Sequence, residues 1–237
     1  MTPERPPVLF KSPTITNPLA VDVLPQGSWL NKPAFIIGGG PSLAGFNFER
    51  LRGRRTIGVN LAFYFFEPTI IFSMDTRFLN WITNGTYETK YPGCREKFRA
   101  TAAYKIWLLT YTASLPDSIL VAPVFRNYDH GRLHLSWVFR DGLGHGNNSG
   151  FGALNLALVL GANPIYLLGF DMKHEKTKTH YHAGHPLPQS PSQVAGFIQP
   201  FDRSADEIKK RGIRVVNLNR GSALRSFEFG DIEEATK

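Results

Sequence analysis

Several short runs of this sequence are apolar at nearly every position and stop at a glycine, an asparagine or an aspartate. They are "KPAFIIGGG" (32–40), "RRTIGVNLAFYF" (54–65), "PTIIFSMD" (68–75), "NPIYLLGFDM" (163–172) and "IRVVNLN" (213–219). A strand with one wet face alternates apolar and polar residues. A continuously apolar strand is buried on both faces, which is the habit of parallel sheets. Helical patterns fall between the runs, over 77–83, 94–103 and roughly 150–160, with an amphipathic one in "RSADEIKKRG" (203–212). "PSLAGFNFERLRG" (41–53) reads as a helix with proline in its first turn, and "KIWLLT" and "SILVAPV" as further strands. Strand and helix alternate, so the expected fold is α/β: a Rossmann-like, mainly parallel sheet with helices on both faces.

With 237 residues, 42% of them hydrophobic, the chain can bury a sizeable core. The expected organisation is an extended, proline-rich arm over 1–32, a single Rossmann-like domain over 33–225, and a tail over 226–237. A polar, histidine-rich insertion over about 172–200 reads as a lid on that domain. Lys plus Arg outnumber Asp plus Glu by 27 to 19, a net charge of +8 that favours anionic partners. The lone cysteine, Cys94, excludes an internal disulfide framework and fits a reducing compartment. No signal peptide and no membrane span are read, so a cytoplasmic protein is expected.

Three consecutive glycines cost conformational entropy, so Gly38, Gly39 and Gly40 form either a tight connector or a loop whose backbone approaches a ligand. In open parallel sheets, ligands sit beyond the carboxyl ends of the strands. That rule collects the three glycines, Ser42, Asn60, Asp75, Asp171 and Asn219 at one rim. The loop lacks the Gly-Lys-Ser/Thr ending of a P-loop. It departs from the dinucleotide fingerprint as well, with Leu43 in place of the third glycine and Asn60 where an acid would grip a ribose. Bare amides at a helix N-terminus still favour phosphate or ribose. The segment 172–193 holds His174, His180, His182 and His185, four of the seven histidines. It reads as an acid–base element, a solvated loop or a zinc site; no carboxylate or cysteine completes a ligand set, so no metal is expected.

"IIGGGPSL", the asparagine closing the second strand, "NNSGFGALNLALVLGANPIYLLGFDM", "THYHAGH" and "NLNRGSAL" occur in that order. Together they resemble the family-42 sialyltransferases of bacterial surface glycan synthesis and the related MptE-like (DUF115) superfamily, which has phage-encoded members. The resemblance covers about residues 33–225. It implies a glycosyltransferase that moves a sugar from a nucleotide-sugar donor to an acceptor hydroxyl, on a glycan or, given the charge, on modified DNA. By this resemblance Gly38, Gly40, Pro41 and Ser42 match the loop that approaches the sugar nucleotide, with Gly39 in place of the family's asparagine. Asn60, Ser149, Gly150 and Asp171 match further nucleotide positions. Lys173 stands near the place of the family's tyrosine at the leaving phosphate. Tyr181 and His185 correspond to the family's tyrosine and its general-base histidine, one residue further apart, which makes His182 a rival base.

No Asp-x-Asp occurs in the sequence, so a metal-independent transfer without cofactor is expected. Two alternatives stand beside it. An MptE-like diphosphokinase would move pyrophosphate from ATP, with Mg²⁺ on Asp75 or Asp171. A non-catalytic nucleotide- or nucleic-acid-binding module would use basic residues such as Arg52, Arg54 and Arg55.

Overall fold

The structure, a computed structural model, describes residues 20–109, 124–126, 134–173, 180–182 and 190–237. Of "SILVAPV" only Val124 falls among them, and His174 and His185 fall outside. The strands are β1 (Ala34–Ile37), β2 (Arg55–Val59), β3 (Ile70–Ser73), β4 (Tyr104–Leu109), β5 (Val124–Arg126), β6 (Ile165–Leu168), β7 (Val215–Asn217) and β8 (Glu228–Phe229). They form one sheet in the order β5-β4-β3-β2-β1-β6-β7-β8, and every pairing is parallel. From β1 the chain winds outward to β5, then returns to place β6 on the other side of β1. The connections that follow β1 and β6 therefore run to opposite sides of the sheet, which makes the carboxyl end of this strand pair the topological switch point.

The continuously apolar runs are explained by burial on both faces. In β1, Ala34 and Ile36 enter the core on one face, while Phe35 and Ile37 enter a separate cluster on the other. β3 behaves likewise, with Ile70 and Phe72 on the first face and Ile71 on the second. The helix α5 (Ser149–Val159) covers the first face and is buried from Phe151 to Val159, as its uniformly apolar sequence requires. Its one interior polar residue is satisfied: Asn155 Oδ1 accepts from Ser136 N (2.9 Å) and Gly144 N (2.6 Å), and Nδ2 donates to Ser136 O (2.6 Å). On the second face lie α3 (Thr76–Thr83) and α4 (Cys94–Ala100), which bury Phe78, Leu79, Ile82, Cys94 and Phe98 around Trp107.

Three local expectations need correction. "PSLAGFNFERLRG" forms two short 3₁₀ turns, Pro41–Leu43 and Phe48–Leu51, rather than one helix. Gly45, at φ 76°, and the Asn47 cap on Glu49 N break the segment between them. The second strand stops at Val59 with Asn60 just past its end, as expected, but the rest of the run turns at Asn60 (φ 52°) into the short helix α2 (Ala62–Phe65). Finally, the segment read as a tail joins the body of the protein. β8 pairs with β7, and α8 (Ile232–Ala235) buries Ala235 against the Leu43 and Leu51 cluster. At the other end, residues 20–32 of the arm pack on the end of α5, where Gly27 and Trp29 donate to the carbonyls of Val159 and Leu160 (3.0 and 2.7 Å) and Trp29 is buried. Among the described residues no helix is long and apolar enough to cross a membrane.

Candidate functional site

A cavity of about 540 Å³ opens at the switch point. Its walls come from the carboxyl ends of three strands: Gly38–Gly40 after β1, Asn60 after β2, and Gly169–Lys173 after β6. Met74 to Arg77 at the start of α3 and Asn147 to Gly150 at the start of α5 close it further. His180 and, from α6 (Pro191–Gly196) and the residue after it, Gln193, Val194 and Phe197 complete the lining. The volume suits a nucleotide-sized ligand.

The glycines are bare for a reason the sequence did not show. None of Gly38, Gly39 and Gly40 has a positive φ, so backbone freedom is not what selects them. A Cβ on Gly38 would stand 2.7 Å from the Gly169 carbonyl oxygen, and one on Gly40 would stand 1.7 Å from Asp171 Oδ2. The loop lies flat on the chain leaving β6, with Gly40 N donating to Gly169 O at 2.8 Å. Gly39 differs, because its Cβ would meet the His180 ring, 2.7 Å from Cδ2. Two of the three glycines therefore serve packing, and the third leaves room for a cavity-lining imidazole.

Asp171 is the knot of the site. It is buried; Oδ2 accepts from Ser42 Oγ (2.8 Å), and Oδ1 accepts from Ser42 N (3.2 Å) and Asn219 Nδ2 (2.8 Å). One carboxylate thus ties together the loops leaving β1, β6 and β7. Burial pushes this carboxyl above its ordinary value, against the pull of the Ser42 hydrogen bonds and the Lys173 charge. Ser42 and Asn219 act on the site through Asp171 and do not line the cavity; Pro41 is buried behind the loop.

The remaining walls are polar and shaped by local strain. Asn60, Asn147 and Met172 are three of the non-glycine residues with positive φ, at 52°, 57° and 51°, and all three line the cavity. Asn60 Oδ1 accepts from Ser73 Oγ (2.7 Å), which holds the end of β2 to the end of β3. Asn148 caps α5 by accepting from Phe151 N (2.7 Å), so the helix N-terminus faces the cavity with Ser149 and Gly150 in its first turn. The helix N-terminus at the cavity is thus that of α5, while the one expected directly after the glycine loop is a 3₁₀ turn. Asp75 caps α3 and forms a two-pronged ion pair with Arg77 (Nε 3.0 Å to Oδ1, NH2 2.8 Å to Oδ2). Both candidate magnesium carboxylates, Asp75 and Asp171, are thus bonded to protein groups. Among the described residues no cluster of three His, Cys, Asp or Glu side chains is placed to hold a metal ion.

Of the residues singled out in the sequence, the three glycines, Asn60, Asp75, Ser149, Gly150, Asp171 and Lys173 meet at the cavity. Tyr181 and His182 do not line it. Tyr181 N donates to Gly39 O (3.0 Å), and its ring enters the aromatic cluster of Phe48 and Phe65 (centroids 6.2 and 5.0 Å). Burial there pushes its phenol well above the ordinary tyrosine value. Among the described residues the histidine on the cavity wall is His180, to which the sequence alone assigns no role of its own. Arg77, Asn147, Asn148 and Gln193 were missed as well. Their signals were present: "SMDTR" and "NNSG" each put a capping residue before a helix, and "SPSQ" is a capping box, realised in Ser190 and Gln193.

No family model matches the sequence, and no curated protein matches it. Among solved structures, the Maf glycosyltransferase from Magnetospirillum magneticum AMB-1 superposes with a TM-score of 0.58 at 14% identity, covering 88% of this chain. The chain spans about a third (35%) of that protein's length. The sialyltransferase CST-II, solved in complex with a trisaccharide acceptor and CMP, has a TM-score of 0.47 at 16% identity over 84% of this chain and 85% of that one. The first likeness establishes a shared α/β fold.

Proposed function

We propose that the protein is a metal-independent glycosyltransferase that moves a sugar from a nucleotide-sugar donor to an acceptor hydroxyl. The observation that carries this reading is the cavity itself. A glycine loop, the N-terminus of α5 and Lys173 converge at the switch point of a sheet whose fold is shared with a glycosyltransferase. In this reading the donor phosphate meets the first turn of α5 and the Lys173 ammonium, which balance the charge that develops as the leaving group departs. The acceptor hydroxyl gives its proton to a neutral imidazole, its oxygen bonds to the anomeric carbon, and the bond from that carbon to the phosphate oxygen breaks. The nucleotide leaves with the electron pair. His180 is the described imidazole on the cavity wall; His185 remains the base that the sequence resemblance implies. Asp171 holds the loops in place and takes no proton from the substrate.

A thermal-shift panel of CMP, UDP, GDP, ADP and ATP, in EDTA and again with Mg²⁺, tests the reading. A nucleotide at 100 times its dissociation constant should add about 2.7 kcal/mol of stability. Stabilisation by one nucleotide in EDTA supports it. Stabilisation by ATP alone, and only with Mg²⁺, would move the assignment to pyrophosphate transfer.

A further inference from the structure

The aromatic residues beside the cavity are arranged as a path. His180 lines the cavity, and its ring centroid is 5.1 Å from that of His182. The His182 ring in turn lies nearly parallel to Phe65, at 5.9 Å and 21°. Phe65 is the last residue of α2 and is 36% exposed, so part of its ring is open to a ligand. Tyr64 and Tyr91 support it edge-on, at 5.4 and 6.1 Å. The strip is fixed to the site, because Tyr181 N bonds to the Gly39 carbonyl at 3.0 Å. It also carries polar edges: the Tyr91 hydroxyl and His182 Nδ1 are 3.1 Å apart. When the hydroxyl donates, the proton of the neutral imidazole sits on Nε2.

We propose that Phe65 and His182 form the shelf on which a carbohydrate acceptor lies, with the C–H face of a pyranose on the Phe65 ring and its hydroxyls toward His182 and His180. This deepens the transferase reading and rests on it. A pyranose needs what the strip offers, an apolar ring surface bordered by hydrogen-bonding edges and continuous with the reaction cavity. A nucleic-acid strand needs a row of free cations beside its stacking rings. Lys97, beside Tyr64, has its ammonium on the Tyr64 carbonyl (2.5 Å), and competition by oligothymidylate decides whether the exposed Lys90 and Arg95 supply such a row.

Saturation-transfer NMR on the full chain tests the shelf without requiring turnover. The probes are lactose, methyl β-galactopyranoside and the methyl glycoside of N-acetylglucosamine, with a short oligothymidylate as competitor. At least one sugar should receive saturation on its ring C–H protons. Phe65→Leu, which keeps an apolar side chain but no ring, should weaken that binding about fivefold, the worth of one aromatic contact. Phe65→Trp should retain it, and an unchanged melting temperature in both variants excludes unfolding. Absence of sugar binding, full binding by Phe65→Leu, or displacement of the sugar by oligothymidylate overturns the shelf. If a nucleotide binds in EDTA while the sugar signal ignores Phe65, the shelf falls and the transferase stands. If the sugar signal depends on Phe65 but no nucleotide binds, the shelf stands and the transferase reading falls.

Discussion

Adjacent glycines in the loop after β1 have different duties, and substitution separates them. Gly40→Ala drives a methyl group into Asp171 Oδ2 and the Gly169 carbonyl, and neither can retreat, because Asp171 is held by Ser42 and Asn219. We expect a loss of about 1–3 kcal/mol, the usual cost of overpacking, read as a lower melting temperature before any ligand is added. Gly39→Ala meets only the His180 ring. Its φ is not positive, so the substitution also removes unfolded-state freedom worth about 0.4–1 kcal/mol. The variant should melt near the wild-type temperature yet lose turnover, because the imidazole on the cavity wall is displaced. Equal melting temperatures for the two variants would show that the loop is not packed as described. From the sequence, three glycines said only that something approaches closely; that the neighbour is the protein's own β6 exit follows from a contact between residues 40 and 171.

Among the elements, α5 couples the core to the site. Its body is buried against the sheet and its first turn borders the cavity, so the N-cap belongs to both. Asn148 also donates to the carbonyls of Gly146 (3.4 Å) and Phe197 (3.3 Å), which joins the cap to the chain after α6. Asn148→Ala should cost about 1 kcal/mol as a lost cap and should also weaken nucleotide stabilisation in the thermal-shift panel. Asn148→Asp keeps the cap acceptor but loses both donated bonds, so it should recover only part of the stability, while its charge opposes an anionic ligand. Recovery of both properties would show that no anion sits at this helix end. The helix was legible in "NNSGFGALNLALV" because cap and apolar run are contiguous in sequence. The helix expected after the glycine loop was not formed, because Gly45 and the Asn47 cap end each turn early, and the proline signal at its start gives no length.

On the scale of the whole molecule, the C-terminal segment completes the sheet and one of its faces. Removal of residues 228–237, which spares the core residue Phe227, strips β8 from β7 and uncovers the cluster of Phe35, Leu43 and Leu51 that Ile232 and Ala235 pack against. Loss of that burial should cost about 2 kcal/mol, roughly 4–8 °C in melting temperature for a domain of this size. Glu233→Gln, which removes only the exposed ion pair with Arg50 (2.9 Å), should leave the melting temperature nearly unchanged. If the truncated chain melts with the wild type, the segment is the tail that the sequence reading expected. Its two-residue strand and one-turn helix are too short to carry a period, which is why the sequence read as a tail.

The sequence by itself determined the fold class and the rim. Burial on both faces of a parallel sheet demands continuous apolar runs, and the residues that end those runs must lie at one edge; Gly38, Asn60, Asp75 and Asp171 were placed together on that ground alone. Tertiary structure decided the rest. Which strand lies beside β1, which carboxylate is tied down and which is paired, and which of His180, Tyr181 and His182 faces the cavity all depend on contacts between residues tens to more than a hundred positions apart. Local periodicity and capping are properties of neighbours in the chain. The bond from Ser42 to Asp171 and the meeting of Gly39 with His180 arise only when β6 returns to lie against β1.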